Sequence, residues 1–573
     1  MDRLLTVQLS RRTAFILAFF GLVRIAPAET GYAAWLRYAP TGDGYSLPAV
    51  VATLDVSPVL DAAQAEFVRG VKSMTGRTPR IQKQIPGEPC VLLAKLDSVR
   101  AATHDPSLPS QMADDAYLLR TTTFHEHSVV LVTAANDRGV LYGTFALLRK
   151  LALHEPIDHL NEQQTPYAPI RWTNEWDNLN GTIERGYGGR SIFFDNGNVV
   201  PDLTRAGDYA RLLASIGVNG CTVNNVNADL RILSSDFLPQ IARIADAFRP
   251  WGVKLSIAVD ISSPKAIGGL TTFDPLDPAV AAWWKQKADE IYRLIPDFGG
   301  ILVKADSEGR VGPSTYGRTH ADAANVIARA LKPHGGVLIY RGFVYNHKMD
   351  WRDLKNDRAR AAYDNFKPLD GKFDDNVLVQ IKYGPIDFQV REPVSPLFGA
   401  LEHTNETLEL QVTQEYTGQQ RQLCFLLPLW KQVLDFDMRA DGRATPVADL
   451  VSGKTFHRPL GGFVAVTNVG RDSNWLGFDL AMANLYAFGR IAWDPHAEAS
   501  RVVDEWTRQT FGSDPDVVRT IDALQLHSWK VYEDYTGPLG IGGLTDIIGG
   551  PNGAVGNHYG PGIESSERNG WGQ

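Results

Sequence analysis

The stretch Ile301-Leu302-Val303-Lys304-Ala305-Asp306-Ser307-Glu308 has the pattern of a strand from the interior of a parallel sheet. Three apolar residues come first, and charged and polar residues follow directly. Parallel strands that are covered by helices appear in a sequence as short, continuous apolar runs. In a closed barrel of such strands, active-site residues lie where the strands end. The stretch therefore predicts a barrel strand that carries Lys304, Asp306 and Glu308 at its end.

The same pattern recurs along the chain from Arg171 onward. Apolar strand candidates lie at 171–176, 217–225, 253–261, 299–307, 335–345, 376–388, 409–416 and 462–469. Helical patterns separate most of them, as at Tyr209, Leu212, Leu213 and Ile216, where apolar residues recur at helical spacing. Eight strands with intervening helices over roughly 300 residues are typical of a (β/α)8 TIM barrel. We assign residues 166–475 to this barrel, which places the chain in the α/β class.

The barrel is flanked by two smaller regions. Residues 29–165 predict an N-terminal α+β domain, with strands at 49–54 and 128–133, helices at 62–74 and 139–153, and a polar, proline-containing linker at 155–169. Residues 476–573 predict a partial C-terminal domain that is all helical, with helices at 476–491, 497–511 and 514–535. Asp514 is the expected N-cap of the last helix, and Pro515 its first residue.

The first 28 residues have the composition of a targeting segment. Arg3, Arg11 and Arg12 precede the apolar run 15–23, and Ala26-Pro27-Ala28 supplies small residues at a cleavage position. The run is too short to span a bilayer. We therefore expect a signal peptide, a periplasmic or secreted protein, and no stable membrane insertion after export.

Charge and cysteine content exclude several classes of protein. The 573-residue chain has a net charge of -8 and no basic region, which argues against a nucleic-acid partner. Cys90, Cys221 and Cys424 are far apart, without the spacing of a zinc site or a disulfide framework. Cys221 lies in an apolar strand pattern and is expected to be buried. No phosphate-binding loop is present, so we expect neither a metal nor a cofactor.

The predicted strand ends carry the groups that glycoside hydrolysis requires. Partial burial can keep Glu308 protonated, as a general acid needs, while Asp387 and Glu415 could hold and deprotonate a water molecule. Three cations also end strands and could bind an anionic group of a substrate: Lys304, Arg341 and Lys382. The alternatives are structural ion pairs among these residues, a solvated loop position for Glu308, and a core position for Trp176 in place of a sugar-stacking one.

Several long strings extend this interpretation. They are Arg171-Trp172-Thr173-Asn174-Glu175-Trp176-Asp177-Asn178, Ile183-Glu184-Arg185-Gly186-Tyr187, Val303-Lys304-Ala305-Asp306-Ser307-Glu308-Gly309, Lys382-Tyr383-Gly384-Pro385-Ile386-Asp387-Phe388-Gln389 with Arg391-Glu392-Pro393, and Gln414-Glu415-Tyr416-Thr417-Gly418. In these strings, and over nearly the whole exported chain, the sequence resembles the family 67 glycoside hydrolases, which are bacterial and fungal α-glucuronidases.

The resemblance implies the three-part architecture described above and an inverting, exo-acting enzyme. Such enzymes release α-1,2-linked glucuronic acid, or its 4-O-methyl ether, from the non-reducing end of xylooligosaccharides derived from glucuronoxylan. By resemblance Glu308 is the general acid, Asp387 and Glu415 activate water, and the three cations bind the uronate. The remaining substrate contacts would be Trp176 as stacking ring, Glu175 beside it, and Val226 near the 4-O-methyl group.

The resemblance also makes the end of the chain informative. Members of the family continue with further helices that help to close the site and build a homodimer. The end at Gln573 therefore predicts a truncated helical domain, exposed apolar surface and an incomplete dimer interface. Two other functions compete with the enzyme described above. One is a hexosaminidase-like hydrolase, which would use an adjacent Asp-Glu pair, and the other is an inactive glycan-binding protein.

Overall fold

The computed structural model of the protein describes residues 29–41, 47–344 and 358–536. The predicted targeting segment 1–28 and the glycine-rich stretch 537–573 lie outside the described residues. Within the described part, no helix combines the length and the apolar character that crossing a membrane would require. The three cysteines are buried and unbridged, as expected for Cys221.

The N-terminal region is a six-stranded mixed sheet with helices packed on it. Its strands are β1 Val50–Thr53, β2 Arg80–Gln82, β3 Cys90–Lys95, β4 Tyr117–Phe124, β5 His127–Ala134 and β6 Asn161–Gln164, in the order β2-β1-β3-β5-β4-β6. Its helices are Pro58–Thr75, Leu96–Thr103 and Asp137–Ala152. A linker over the whole of 155–169 is a wrong prediction, because β6 lies within it and pairs antiparallel with β4. The largely exposed Asn-Glu-Gln-Gln sequence of β6 has no apolar face that could have indicated a strand.

Eight parallel strands close into a barrel, which confirms the predicted fold. They are β7 Ile170–Asn174, β10 Gly220–Val223, β11 Lys254–Val259, β12 Gly300–Val303, β13 Val337–Arg341, β14 Val377–Lys382, β15 Asn405–Gln411 and β16 Gly462–Val466, with β16 paired to β7. The short hairpin β8 Phe194–Asp195 and β9 Asn198–Val199 follows β7. The helices between the strands are Thr204–Ser215, Leu238–Phe248, Ser263–Ala266, Pro278–Leu294, His320–Leu331, Arg358–Phe366, Leu427–Leu434 and Val447–Val451.

Two strands differ from the sequence prediction in ways that affect the site. Strand β14 ends at Lys382, so the predicted residues up to 388 form a loop that carries Asp387. Strand β15 begins at Asn405 and ends at Gln411, earlier than the predicted 409–416. Its residues are buried although several are polar, so the apolar pattern did not indicate where it starts. Glu415 therefore lies in the loop after the strand.

Trp172 fills the end of the barrel that is opposite the predicted site. A Cβ atom at Gly220 would lie 2.3 Å from Nε1 of Trp172, and one at Gly299 would lie 3.0 Å from the same indole. These two glycines therefore leave room for the ring. The base of the barrel is thus a packed core, and the strand ends on the other face remain for chemistry.

Three helices complete the described part of the chain, namely Met482–Trp493, Ala499–Phe511 and Pro515–Thr536. The first begins later than predicted because Asp479–Ala481 forms a 3₁₀ turn before it. The predicted N-cap is confirmed, since Oδ1 of Asp514 accepts hydrogen bonds from the backbone N–H groups of Asp516 and Val517 at 2.9 and 3.2 Å.

Candidate active site

Three cations meet at the ends of neighbouring barrel strands, around the ring of Phe343. Nζ of Lys382 lies 3.5 Å from the ring centroid, Cζ of Arg341 lies 5.6 Å away, and Nζ of Lys304 lies 5.9 Å away. All three side chains are almost completely buried. Charges at this depth require compensation by protein groups or by a bound anion. The cations that were predicted from separate strand ends therefore do form one group.

Each of these cations is paired with a carboxylate. Lys304 contacts Glu308, Lys382 contacts Oδ1 of Asp387 at 2.5 Å, and Nε and Nη2 of Arg341 donate to Glu409 at 2.7–3.0 Å. The contacts expected for structural ion pairs are therefore present. Two of these carboxylates, Glu308 and Asp387, are residues that the sequence predicts as acid and base, so their pairing with lysines also influences their charge state.

The loop after β12 presents Glu308 at the mouth of the barrel, with about a third of its side chain exposed. Asp306 and Glu308 both have left-handed backbone angles, with φ of 49° and 51°, and Asp306 fixes the loop by accepting hydrogen bonds from Ser314 N and Oγ at 3.0 and 2.5 Å. Burial raises the pKa of Glu308, but the Lys304 ammonium outweighs burial, so the pKa lies below its usual value. The expectation that partial burial keeps Glu308 protonated is therefore wrong for this arrangement.

Asp387 lies in a loop that is organised by a buried carboxylate. Glu392 accepts hydrogen bonds from the backbone N–H groups of Ile386, Asp387 and Gln389 at 2.8–3.0 Å. The Asp387 carboxylate itself accepts a hydrogen bond from the hydroxyl of Tyr416 at 2.6 Å. Donors on both of its oxygens favour the ionised form of Asp387.

Glu415 is buried beside Asp387, with an ion-pair contact at one oxygen and a hydrogen bond at the other. Nε of Arg185 lies 2.7 Å from Oε1, and Nε2 of Gln411 donates to Oε2 at 2.9 Å. Burial and the nearby Asp387 raise the pKa of Glu415 to about 7, against the lowering effect of Arg185. A carboxylate with a pKa near neutrality is suited to exchange protons with a water molecule.

The three remaining predicted contacts lie deeper in the site. Trp176 is 5% exposed, and the guanidinium of Arg341 lies 5.2 Å from its ring centroid. Glu175 is fully buried, with hydrogen bonds from Tyr209, Thr467 and the backbone of Val469 to its two oxygens. Val226 is buried in the loop after β10. Burial raises the pKa of Glu175 to about 8, with a further contribution from Asp177. Glu175 is thus enclosed by protein groups, and its role as a substrate contact stays a prediction.

Sequence reasoning missed several residues that shape the site. Glu409 precedes Gln411 by two residues on β15, and the alternation of side chains in a strand could have placed both inside the barrel. Asn227, whose Oδ1 accepts a hydrogen bond from Lys304 at 2.9 Å, and Phe343 gave no signal, because loop residues have no regular periodicity. Among the described residues, no cluster of three or more His, Cys, Asp or Glu side chains could hold a metal ion.

The fold and the site together define a carboxylate-bearing (β/α)8 barrel with a cationic mouth. Comparison with known families assigns 34–147 to the glycosyl hydrolase family 67 N-terminus, 150–475 to the family 67 middle domain and 476–573 to the family 67 C-terminus. The chain belongs to glycosyl hydrolase family 67.

Two curated relatives are similar over nearly the whole chain. The probable alpha-glucuronidase A of Aspergillus flavus is 47% identical, over 98% of this chain and 66% of its own length. The alpha-glucuronidase A of Emericella nidulans is 49% identical, over 96% of this chain and 65% of its own length. The chain thus spans just under two thirds of these relatives. A family GH115 4-O-methyl-alpha-glucuronidase of known structure shares the fold, with a TM-score of 0.53 and 12% identity over 88% of this chain and 64% of that one.

Proposed function

We propose that this protein is an exported, exo-acting, inverting α-glucuronidase. It removes α-1,2-linked glucuronic acid, or its 4-O-methyl ether, from the non-reducing end of xylooligosaccharides. The observation that carries the proposal is the set of three buried cations around Phe343, which adjoins the candidate acid and bases. A uronic acid carries its own carboxylate, which the cations can bind close to the bond that is cleaved. The names of the curated relatives support the same activity.

Binding of the uronate prepares Glu308 to act as general acid. The substrate carboxylate binds Lys304 and so competes with Glu308, which pairs with this lysine in the structure. Once the ammonium is shared, burial is the dominant influence on Glu308, and its pKa rises. Glu308 then takes up a proton and can donate it to the departing xylose oxygen. Binding energy from the uronate group is thereby used to protonate Glu308 at the reacting centre.

Asp387 and Glu415 act on the water molecule that replaces the xylose oxygen. The water oxygen forms a bond to the anomeric carbon from the face opposite the leaving group, and its proton passes to the carboxylate pair. The glycosidic bond breaks as Glu308 protonates the xylose oxygen. One water molecule is consumed, and the sugar is released with inverted configuration, as β-glucuronic acid.

The test is to incubate the purified chain with aldouronic acids and to record proton NMR spectra of the fresh product. We expect the β anomer of the uronic acid first, with the α anomer appearing only by mutarotation. Initial release of the α anomer would refute inversion. Binding of aldotetraouronic acid without any turnover would support the glycan-binding alternative. Cleavage of an aryl N-acetylglucosaminide would favour the hexosaminidase-like one.

A further inference from the structure

Arg185 reaches across the mouth of the barrel to a residue that is distant in sequence. It lies in the loop after β7, and its Nε atom is 2.7 Å from Oε1 of Glu415 in the loop after β15. About a third of the Arg185 side chain is exposed, whereas Glu415 is buried. The contact therefore covers the buried carboxylate from the solvent side.

The backbone at Arg185 is held in an uncommon conformation by residues from the loops after β15 and β16. Its φ angle is 55°, in the left-handed region that residues other than glycine rarely adopt. Oγ1 of Thr413 donates to the Arg185 carbonyl at 2.6 Å, and Nδ2 of Asn468 donates to the Glu184 and Arg185 carbonyls at 2.8 and 3.3 Å. Strain that is fixed by several contacts is characteristic of functional sites.

The charged groups around Glu415 indicate what the contact with Arg185 does. Among the described residues, the charged and titratable groups around Glu415 come from three places in the fold: Arg185 and Tyr187 after β7, Lys382 and Asp387 at and after β14, and the adjacent Tyr416. Asp387 and burial favour a proton on Glu415, while Arg185 and Lys382 oppose it. Lys382 is already paired with Asp387 at 2.5 Å, so within the described part of the chain Arg185 is the cation in direct contact with Glu415.

We infer that Arg185 is a positioning residue for the water-activating pair, which orients Glu415 and keeps it available as a proton acceptor beside Asp387. The inference rests on the proposed function. Without the guanidinium, Glu415 retains its proton to higher pH and shares it with Asp387, as closely spaced carboxylates do. The pair then loses the capacity to accept the proton of the attacking water at neutral pH.

The experiment compares the wild type with Arg185→Gln and Arg185→Lys, using two readouts. The first is the titration of Glu415 by carbon NMR with glutamate labelled at the carboxyl carbon, the resonance being assigned with Glu415→Gln. We expect a midpoint near pH 7 in the wild type, about one pH unit higher in Arg185→Gln, and close to wild type in Arg185→Lys. The second is the pH profile of kcat/KM on aldotetraouronic acid. In Arg185→Gln the acid limb of this profile shifts by the same amount. The value of kcat/KM is then roughly tenfold below that of the wild type at pH 6, and the difference becomes smaller toward pH 8.

Arg190→Gln is the matched control, because Arg190 lies in the same loop but pairs with Asp195 at 2.6 Å, on the surface. It should leave both readouts unchanged. An unshifted Glu415 midpoint in Arg185→Gln overturns the inference. So does a raised KM with an unchanged pH profile, which would make Arg185 a substrate contact. If the wild type releases no uronic acid, the proposed function fails, whereas the NMR titration still decides whether Arg185 controls Glu415.

Discussion

At the scale of single residues, Glu308 is the group whose chemistry can be isolated most cleanly. Glu308→Gln keeps the size and polarity of the side chain but cannot deliver a proton. We expect kcat on aldouronic acids to fall by about 10²–10⁴-fold, the usual range for a general acid, while the substrate still binds. Steady-state kinetics and calorimetric titration measure the two effects.

The matched control for this substitution is Glu290→Gln. Glu290 pairs with Lys287 at 2.7 Å on the helix Pro278–Leu294, so the substitution removes a comparable lysine–glutamate contact away from the site. It should leave kcat unchanged. Equal losses in the two variants would mean that Glu308 matters only for stability.

The ion pair between Lys304 and Glu308 also predicts proton uptake on binding. Since Lys304 holds the pKa of Glu308 below its usual value, Glu308 is ionised near pH 6 before the sugar binds. A bound uronate shares the ammonium, so the pKa of Glu308 rises and a proton enters. Affinity for glucuronic acid should therefore weaken as the pH rises from about 5 to 7. Calorimetry in buffers of different ionisation enthalpy measures the proton uptake. The uptake should be absent in Glu308→Gln. If this variant still takes up a proton on binding, a group other than Glu308 is responsible.

The sequence could predict the residues that end apolar strands, because the change from apolar to polar residues marks where each strand ends. Lys304, Arg341 and Lys382 were found in this way, and the structure brings them together. The contact of Arg185 with Glu415 could not be predicted. It depends on the loop after β7 reaching the loop after β15, which is possible only because β16 lies between them and pairs with both β15 and β7.

At the scale of elements, the loop after β14 depends on one close approach. A Cβ atom at Gly384 would lie 2.1 Å from Oε2 of Glu392, which holds the backbone around Asp387. Gly384→Ala should therefore displace Glu392, misplace Asp387 and lower kcat by at least tenfold, while the barrel remains folded. Kinetics and circular dichroism test this together. Gly207→Ala is the control, because its Cβ would have only an ordinary contact at 3.7 Å; equal activity of the two variants would contradict this account of the loop.

The helix Pro515–Thr536 shows that the sequence pattern of an element does not determine its tertiary contacts. Its N-cap and its length follow from sequence, yet its contacts do not. Nε1 of Trp529 donates to the Val390 carbonyl at 3.1 Å, and Glu533 pairs with Arg391 at 2.7 Å. The helix thus supports the loop that carries Asp387. Helical periodicity indicates which face is apolar but not which part of the barrel that face covers.

At the scale of the whole molecule, the N-terminal sheet and the barrel are joined by a buried charge. Asp115 accepts hydrogen bonds from Nε of Arg138 at 2.8 Å and from Nη2 of Arg171, in β7, at 2.8 Å. Arg171 is fully buried and also donates to the carbonyls of Ala168 and Gly217 at 2.7 Å. The two regions are therefore coupled through a network that neither could satisfy alone.

Asp115→Asn tests this coupling, because it leaves the two arginines without their shared negative charge. Breaking a buried pair in this way costs about 3–5 kcal/mol. We expect a clearly lower thermal midpoint by scanning calorimetry, with unchanged kcat below the transition, since the network lies at the end of the barrel opposite Glu308. Asp374→Asn, which removes a surface pair with Arg329, should cost about 0–1 kcal/mol.

The pH dependence distinguishes a charge effect from a packing effect at this junction. Burial raises the pKa of Asp115, but Arg138 and Arg171 outweigh it, so the pKa lies well below its usual range. A carboxylate with a lowered pKa stabilises the fold fully above its unfolded value of about 3.9, and that contribution is lost as the pH falls toward the folded value. The difference in midpoint between wild type and Asp115→Asn should stay constant from about pH 5 to 8 and shrink only in more acidic solution. A difference that stays unchanged at acid pH would mean that shape, rather than charge, joins the sheet to the barrel.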